Sequence, residues 1–222
     1  MNNWEDIYSN GQQVNQYPFD YVVSTVKRLL ANGELEVGHF LEVGCGTGAN
    51  LAFAAKNGWK TTGIDMSESA ISIARHKFAS DGLVGDWQCS SFEFMELPKE
   101  TFNFVLDRAA VTHVNPVLAT ETWKGIWNLL IPGGYLLTQV FEINSDSNLG
   151  IEDPYFSLER KVGHLANQPP VCFYTNESLQ RSLGSNWQVI WMDNVQTSRK
   201  MGNNQESHLA WIWCLMKKPK VQ

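Results

Sequence analysis

The sequence has no basic tract: 17 Lys and Arg stand against 23 Asp and Glu, a net charge of −6, and the longest basic run is Lys217-Lys218. Nucleic-acid backbones are held by positive footprints, so such a partner is not expected. Paired cysteines are missing too. Cys45, Cys89, Cys172 and Cys214 lie far apart, with no C-x-x-C pair and no histidine cluster beside them. That argues against a zinc site, any other metal site or a disulfide framework, and it fits a reducing cytoplasm. There is no long hydrophobic run: residues 209–216 are far too few to span a bilayer, and Asn2, Asn3, Glu5 and Asp6 stand where a secretory leader would be basic and apolar, so no membrane partner is expected. What is present is 222 residues at 43% hydrophobic content, enough for one domain over 1–222 with a full core.

Short apolar runs alternate with helical stretches, the pattern of parallel strands joined by crossover helices, which makes the fold class α/β. Helices are expected over 19–30, 49–57, 70–80, 116–130 and 177–183, with Ser67 or Ser69 capping the third. Strands are expected over 39–43, 61–65, 86–89, 102–106 and 135–141. After the fifth strand the rhythm changes. Residues 142–174 carry Pro154, Pro169 and Pro170 and little periodicity, which suggests a lid or substrate insertion. Two last strands, 187–192 and 208–216, are joined by the polar stretch 194–207 with no crossover helix, so an antiparallel hairpin on the sheet edge is expected.

The run Phe40-Leu41-Glu42-Val43-Gly44-Cys45-Gly46-Thr47-Gly48-Ala49-Asn50 carries most of the functional information. It leads an apolar strand ending in an acid into glycines that allow a sharp turn and a close ligand, with a helix N-terminus facing the same spot. Alone it leaves two cofactor classes open. Gly44, Gly46 and Ala49 also satisfy the dinucleotide pattern G-x-G-x-x-G/A, and Asp65 lies about twenty residues on, where a ribose-binding acid belongs in either class.

Further motifs break the tie. With Gly63-Ile64-Asp65-Met66-Ser67 and Leu130-Ile131-Pro132-Gly133-Gly134 at their spacings, the chain resembles the class I, Rossmann-like S-adenosylmethionine-dependent methyltransferases over residues 42–141, and more loosely to its end. The resemblance implies a doubly wound, mostly parallel seven-stranded sheet between helices, closed by the antiparallel hairpin. It implies S-adenosyl-L-methionine as cofactor, with Gly44, Cys45, Gly46 and Gly48 beneath its methionine part and Asn50 at the start of the following helix. Glu42 would organise the loop and reach the amine through water, Asp65 would hold both ribose hydroxyls, Met66 would lie on an adenine face, and Ser91 and Phe92 would meet the adenine edge. Many relatives carry aspartate where Ser91 stands.

At the end of the fourth strand, Asp107-Arg108-Ala109-Ala110-Val111 resembles the Asp-Arg-Gly-Ala-Leu segment of thiopurine methyltransferases, with Ala109 in place of the glycine. Strand ends of this kind bear ligands. Two readings of Asp107 and Arg108 stand side by side: a local ion pair or loop-fixing hydrogen bonds, or direct roles with Asp107 at the cofactor and Arg108 at the substrate, where its fork of donors could orient an anionic or electron-rich group. His113 is either structural or a general base. In the aromatic arm Trp4, Tyr8, Tyr17, the resemblance implies that residues 1–30 fold over the cofactor, with Trp4 and Tyr17 as its contacts; a surface helix is the other reading. The expected function is methyl transfer to an N, O or S nucleophile of a small molecule. The alternatives are an NAD(P)-dependent oxidoreductase or a non-catalytic cofactor-binding regulatory subunit.

Overall fold

The computed structural model describes residues 3–145, 156–157, 165, 168–200 and 206–220. A short helix α1 (Trp4–Ser9) and a longer one, α2 (Asp20–Ala31), precede the sheet. Then β1 (His39–Val43), α3 (Ala49–Lys56), β2 (Lys60–Asp65), α4 (Glu68–Ser80), β3 (Asp86–Cys89), β4 (Phe102–Arg108), α5 (Pro116–Leu129) and β5 (Leu130–Glu142) alternate. The five strands are parallel in the order β3-β2-β1-β4-β5. Helix starts follow local chemistry: Ser67 Oγ accepts from Ala70 N at 3.1 Å, and Asn115 caps α5 at Leu118 N, with Pro116 in the first helical position.

Alternation along the strands divides the core into two layers. Leu41, Val43, Val105, Leu136 and Val140 face Trp123, Ile126 and Leu129 of α5. Phe40, Phe104, Leu106, Tyr135 and Leu137 face Val22, Val26 and Leu29 of α2 and Leu51 of α3. Most of these side chains are fully buried, each contributing about 1.5–3 kcal/mol relative to exposure.

The chain ends with α6 (Asn176–Leu183), β8 (Gln188–Lys200) and β9 (Glu206–Lys217), and β9 runs antiparallel to both β5 and β8. Much of the polar stretch expected to be a loop is therefore strand, with pairing from Val195↔Trp211 out to Lys200↔Glu206. A largely exposed two-stranded ribbon is held by its backbone ladder, so its side chains carry no apolar alternation to betray it. Two further short strands lie in the region expected to be a lid: β6 (Phe156–Ser157) and β7 (Val171–Tyr174). The sheet thus has nine strands among the described residues rather than seven. The lid expectation itself falls mainly on 146–155, 158–164 and 166–167, outside the described residues.

β4 pairs with β5 as far as Arg108↔Gln139, and β7 takes up β5 from Phe141↔Phe173. At the carboxyl ends of β1, β2 and β4 the chain turns away into helices and leaves a crevice, the usual ligand position in such sheets. Near the opposite end of α5, Lys218 is 7% exposed and donates through Nζ to the carbonyls of Trp127 (3.1 Å) and Leu130 (2.8 Å). Replacing it by Met leaves those acceptors unserved. Lys218→Met is expected to lower unfolding stability by about 2 kcal/mol in urea titration; an unchanged midpoint would show that water serves the carbonyls equally well.

Candidate functional site

The backbone after β1 turns through the left-handed region at Gly44 (φ 66°) and Gly46 (φ 50°). A Cβ on Gly44 would overlap that of Ala110, and one on Gly46 would meet Tyr8 Oη at 2.5 Å. Only glycine fits either place. The loop is stitched to β2 by Cys45 N donating to Ile64 O at 2.9 Å and Gly46 N donating to Asp65 Oδ2 at 2.8 Å. Gly48 differs: a side chain there would meet Trp87, so it packs against protein and does not line the crevice, contrary to expectation.

The crevice is a cavity of about 640 Å³. Glu42, Gly44, Cys45, Gly46 and Asn50 reach it from β1 and α3, Asp65 and Met66 from β2, and Ser91 and Phe92 from the turn after β3. Arg108, His113 and Trp4 also line it. Besides Gly48, two expected contacts do not. Tyr17 is 83% exposed and lies outside the cavity, and its place in the arm is taken by Tyr8. Trp4 and Tyr8 are four residues apart on α1, so the helix turns both to one side, whereas Tyr17 lies beyond its end. Asp107 is fully buried behind the cavity. Phe19, Gln139, Phe141 and Trp211 line the site without having been singled out.

Asp107 is the anchor of the loop after β4. Its Oδ1 accepts from Ala110 N (3.1 Å) and Val111 N (3.0 Å), and its Oδ2 from Trp123 Nε1 (3.2 Å) and Thr138 Oγ1 (2.6 Å). Burial pushes its pKa up, and these four donors oppose the push. The loop-fixing reading therefore holds for Asp107. Ala109, with φ 50°, adopts a left-handed backbone where the compared segment has glycine. Next to it, the Arg108 guanidinium carbon sits 3.5 Å above the Phe19 ring, and burial lowers its pKa to about 10, opposed by nearby Glu42.

Glu42 is 2% exposed. Asn50 Nδ2 donates to its Oε1 at 2.7 Å, while Oε2 is buried without a partner. Burial raises its pKa to about 8, with Asn50 and Arg108 acting the other way. Asp65, 7% exposed, is also raised by burial, against the N–H groups of Ser67 and Gly46. His113 Nδ1 lies 2.9 Å from Pro170 O, and Trp4 packs edge-on to its ring at 4.8 Å. A carbonyl oxygen only accepts, so this contact places the proton on Nδ1 and the neutral ring's lone pair on Nε2. Glu5 fastens α1 to the start of α4, accepting from Ser67 Oγ at 2.6 Å and Ser69 N at 3.2 Å. Among the described residues no group of His, Cys, Asp or Glu could hold a metal ion.

Two outcomes follow from these contacts. Asp107→Asn faces an N–H group toward donors, and with Trp123 unable to reverse its role the expected loss is about 1–3 kcal/mol in denaturant unfolding; a wild-type midpoint would mean the loop holds itself. For Glu42 the folded pKa of about 8 exceeds the ordinary carboxylate value. The folded state then keeps a proton that the unfolded chain loses, so wild-type stability falls as pH rises from near the ordinary value toward 8. The stability advantage of Glu42→Gln over wild type is expected to grow from pH 5 to pH 8, and a pH-independent difference would contradict the buried neutral carboxyl.

Comparison with known proteins places this geometry. Residues 40–134 match the methyltransferase-domain family. A protein of Geobacillus sp. (strain WCH70) whose name assigns it to the methyltransferases is 30% identical over 162 residues, 68% of this chain and 62% of its own. A ubiquinone biosynthesis O-methyltransferase of Coxiella burnetii is 31% identical over 106 residues, 48% of this chain and 44% of its own. The chain thus spans less than two thirds of the curated relatives it matches. In structure it is similar to an S-adenosylmethionine-dependent methyltransferase of Clostridium acetobutylicum, with a TM-score of 0.69, 15% identity and 96% of each chain covered.

Proposed function

We propose that this chain, whose residues 40–134 belong to the methyltransferase-domain family within a class I, Rossmann-like fold, catalyses S-adenosylmethionine-dependent methyl transfer to an N, O or S nucleophile of a small molecule. The observation that carries the reading is the meeting, in one cavity, of the β1 glycine turn, Asp65 at the end of β2 and the aromatic cover of α1. The residues fit the cofactor. Glu42 keeps a buried carboxylate oxygen without a partner, suited to an ammonium group, and Gly46 brings bare backbone to the cavity wall, where a side chain would collide with the Tyr8 hydroxyl. Asp65 would hold the ribose: each of its oxygens accepts one backbone N–H and retains a lone pair. Met66, 58% exposed at the cavity edge, and Phe92 would flank the adenine, with Ser91 at its rim. When bound, the cofactor supplies a methyl group activated by a positively charged sulfur.

What remains for the protein is to bind, align and exclude water. Trp4 and Tyr8 cover the cavity from α1, with Glu5 holding the helix down. Leu165, Gln168, Pro169 and Pro170 reach it from the segment after β5, and we read both parts as the cover that decides the substrate. His113 would take the acceptor's proton at Nε2 when the nucleophile needs to lose one. A small-molecule acceptor in the cytoplasm, rather than nucleic acid, suits the net charge of −6.

The test is to incubate the protein with S-adenosylmethionine and a panel of amines, thiols and hydroxyl compounds and to measure release of S-adenosylhomocysteine; no release from any chemical class would contradict the reading. Asp65→Ala is expected to weaken S-adenosylhomocysteine binding by about 1.5–3 kcal/mol per hydrogen bond lost, in a folded protein; unchanged affinity would move the ribose elsewhere. With an acceptor in hand, His113→Ala should lower turnover by about a hundredfold or more, the deficit shrinking as pH rises. A pH-independent deficit would assign His113 to positioning instead.

A further inference from the structure

Three strands end their apolar columns on the α2 side of the sheet with a polar residue. Phe40 leads to Glu42 on β1, Phe104 and Leu106 to Arg108 on β4, and Tyr135 and Leu137 to Gln139 on β5. Register aligns them, because Glu42 pairs with Leu106, one step below Arg108, and Arg108 pairs with Gln139. Each contributes a buried polar atom without a hydrogen-bond partner: Glu42 Oε2, Arg108 Nε and Gln139 Oε1. Buried polar groups are rarely left so, and three in one row lining one cavity point to a ligand. Gln139 is 3% exposed, so solvent does not serve it.

Arg108 and Gln139 form the end of the row away from the glycine turn. Arg108 makes no ion pair among the described residues, and stacking on Phe19 keeps its donor edge available to a ligand. Beyond Gln139 the walls turn aromatic, with Phe141 against Trp211 at 5.7 Å and against His113 at 6.0 Å, and with Trp4 on the far side of His113. A flat ring fits such walls.

We infer that the methyl acceptor is a planar aromatic or heteroaromatic acid, its anionic oxygens held by the Arg108 fork and a neighbouring N–H or O–H donated to Gln139, with the ring among Trp4, Phe141 and Trp211. The inference rests on the methyl-transfer reading and adds the acceptor's chemistry. Gln139 becomes a specificity-determining residue beside Arg108. A neutral acceptor of the same shape would leave the Arg108 fork without an anionic hydrogen-bond acceptor, a penalty that discriminates strongly.

The experiment is calorimetric titration of the full chain, saturated with S-adenosylhomocysteine, with 2-aminobenzoate, 2-hydroxybenzoate, their carboxamides and benzoate. The acids should bind at least tenfold more tightly than their carboxamides. Arg108→Met should abolish that preference while leaving S-adenosylhomocysteine affinity within twofold, and Arg108→Lys, which keeps charge but loses the fork, should fall between. Gln139→Leu should weaken the 2-amino and 2-hydroxy acids about tenfold and leave benzoate unchanged. Acids that bind no better than carboxamides, or not at all, overturn the inference. Loss of S-adenosylhomocysteine affinity in folded Arg108→Met assigns the arginine to the cofactor and overturns it too, while leaving methyl transfer intact. Failure of the unaltered protein to bind S-adenosylhomocysteine overturns the reading beneath it.

Discussion

The loops after β1 and β4 touch at Gly44 and Ala110 with no room for another carbon, and the site depends on that contact. Ala110 is fixed by its N–H on Asp107, whose carboxylate also ties down Val111, Trp123 of α5 and Thr138 of β5. One buried carboxylate therefore joins three elements and sets the height at which the β4 loop meets the β1 turn. With Gly44 held from that side and Gly46 tied to Asp65 from the other, the β1 turn has little freedom. Preorganisation of this kind suits the proposed methyl transfer, in which the protein's part is alignment rather than bond-making chemistry of its own.

A second constraint comes from the pleat. Adjacent strand residues face opposite layers, so Asp107 and Arg108 cannot serve one purpose. Asp107 shares its face with Val105 and is buried toward α5, while Arg108 shares its face with Leu106 and emerges beside Phe19 in the cavity. The same alternation directs Thr138 to Asp107 and Gln139 to the cavity. Structural anchor and cavity-facing group are thus one residue apart on each of two neighbouring strands.

Much of this was legible in the sequence. β1 and β3 begin and end at the residues expected of them, and the glycine turn declares itself because its chemistry tolerates few other residues. The polar ribbon of β8 and β9 was hidden, since backbone pairing at an exposed edge leaves no mark on side-chain type. Tyr8 rather than Tyr17 faces inward through the phase of a six-residue helix, too short to read from periodicity. Asp107 as anchor and Gln139 as a cavity residue were readable in principle from alternation along β4 and β5. Recognising them required knowing which layer faces the crevice, which only the packing of α2 and α5 decides.

The central claim is that the turn at Gly44 and Gly46, with Asp65 beside it, receives an adenosyl amino acid rather than a dinucleotide. Isothermal titration of the full chain with S-adenosylhomocysteine and, separately, with NAD tests it most directly. The account predicts saturable binding of S-adenosylhomocysteine at one site and no measurable heat from NAD. Tight NAD binding with no response to S-adenosylhomocysteine would contradict it.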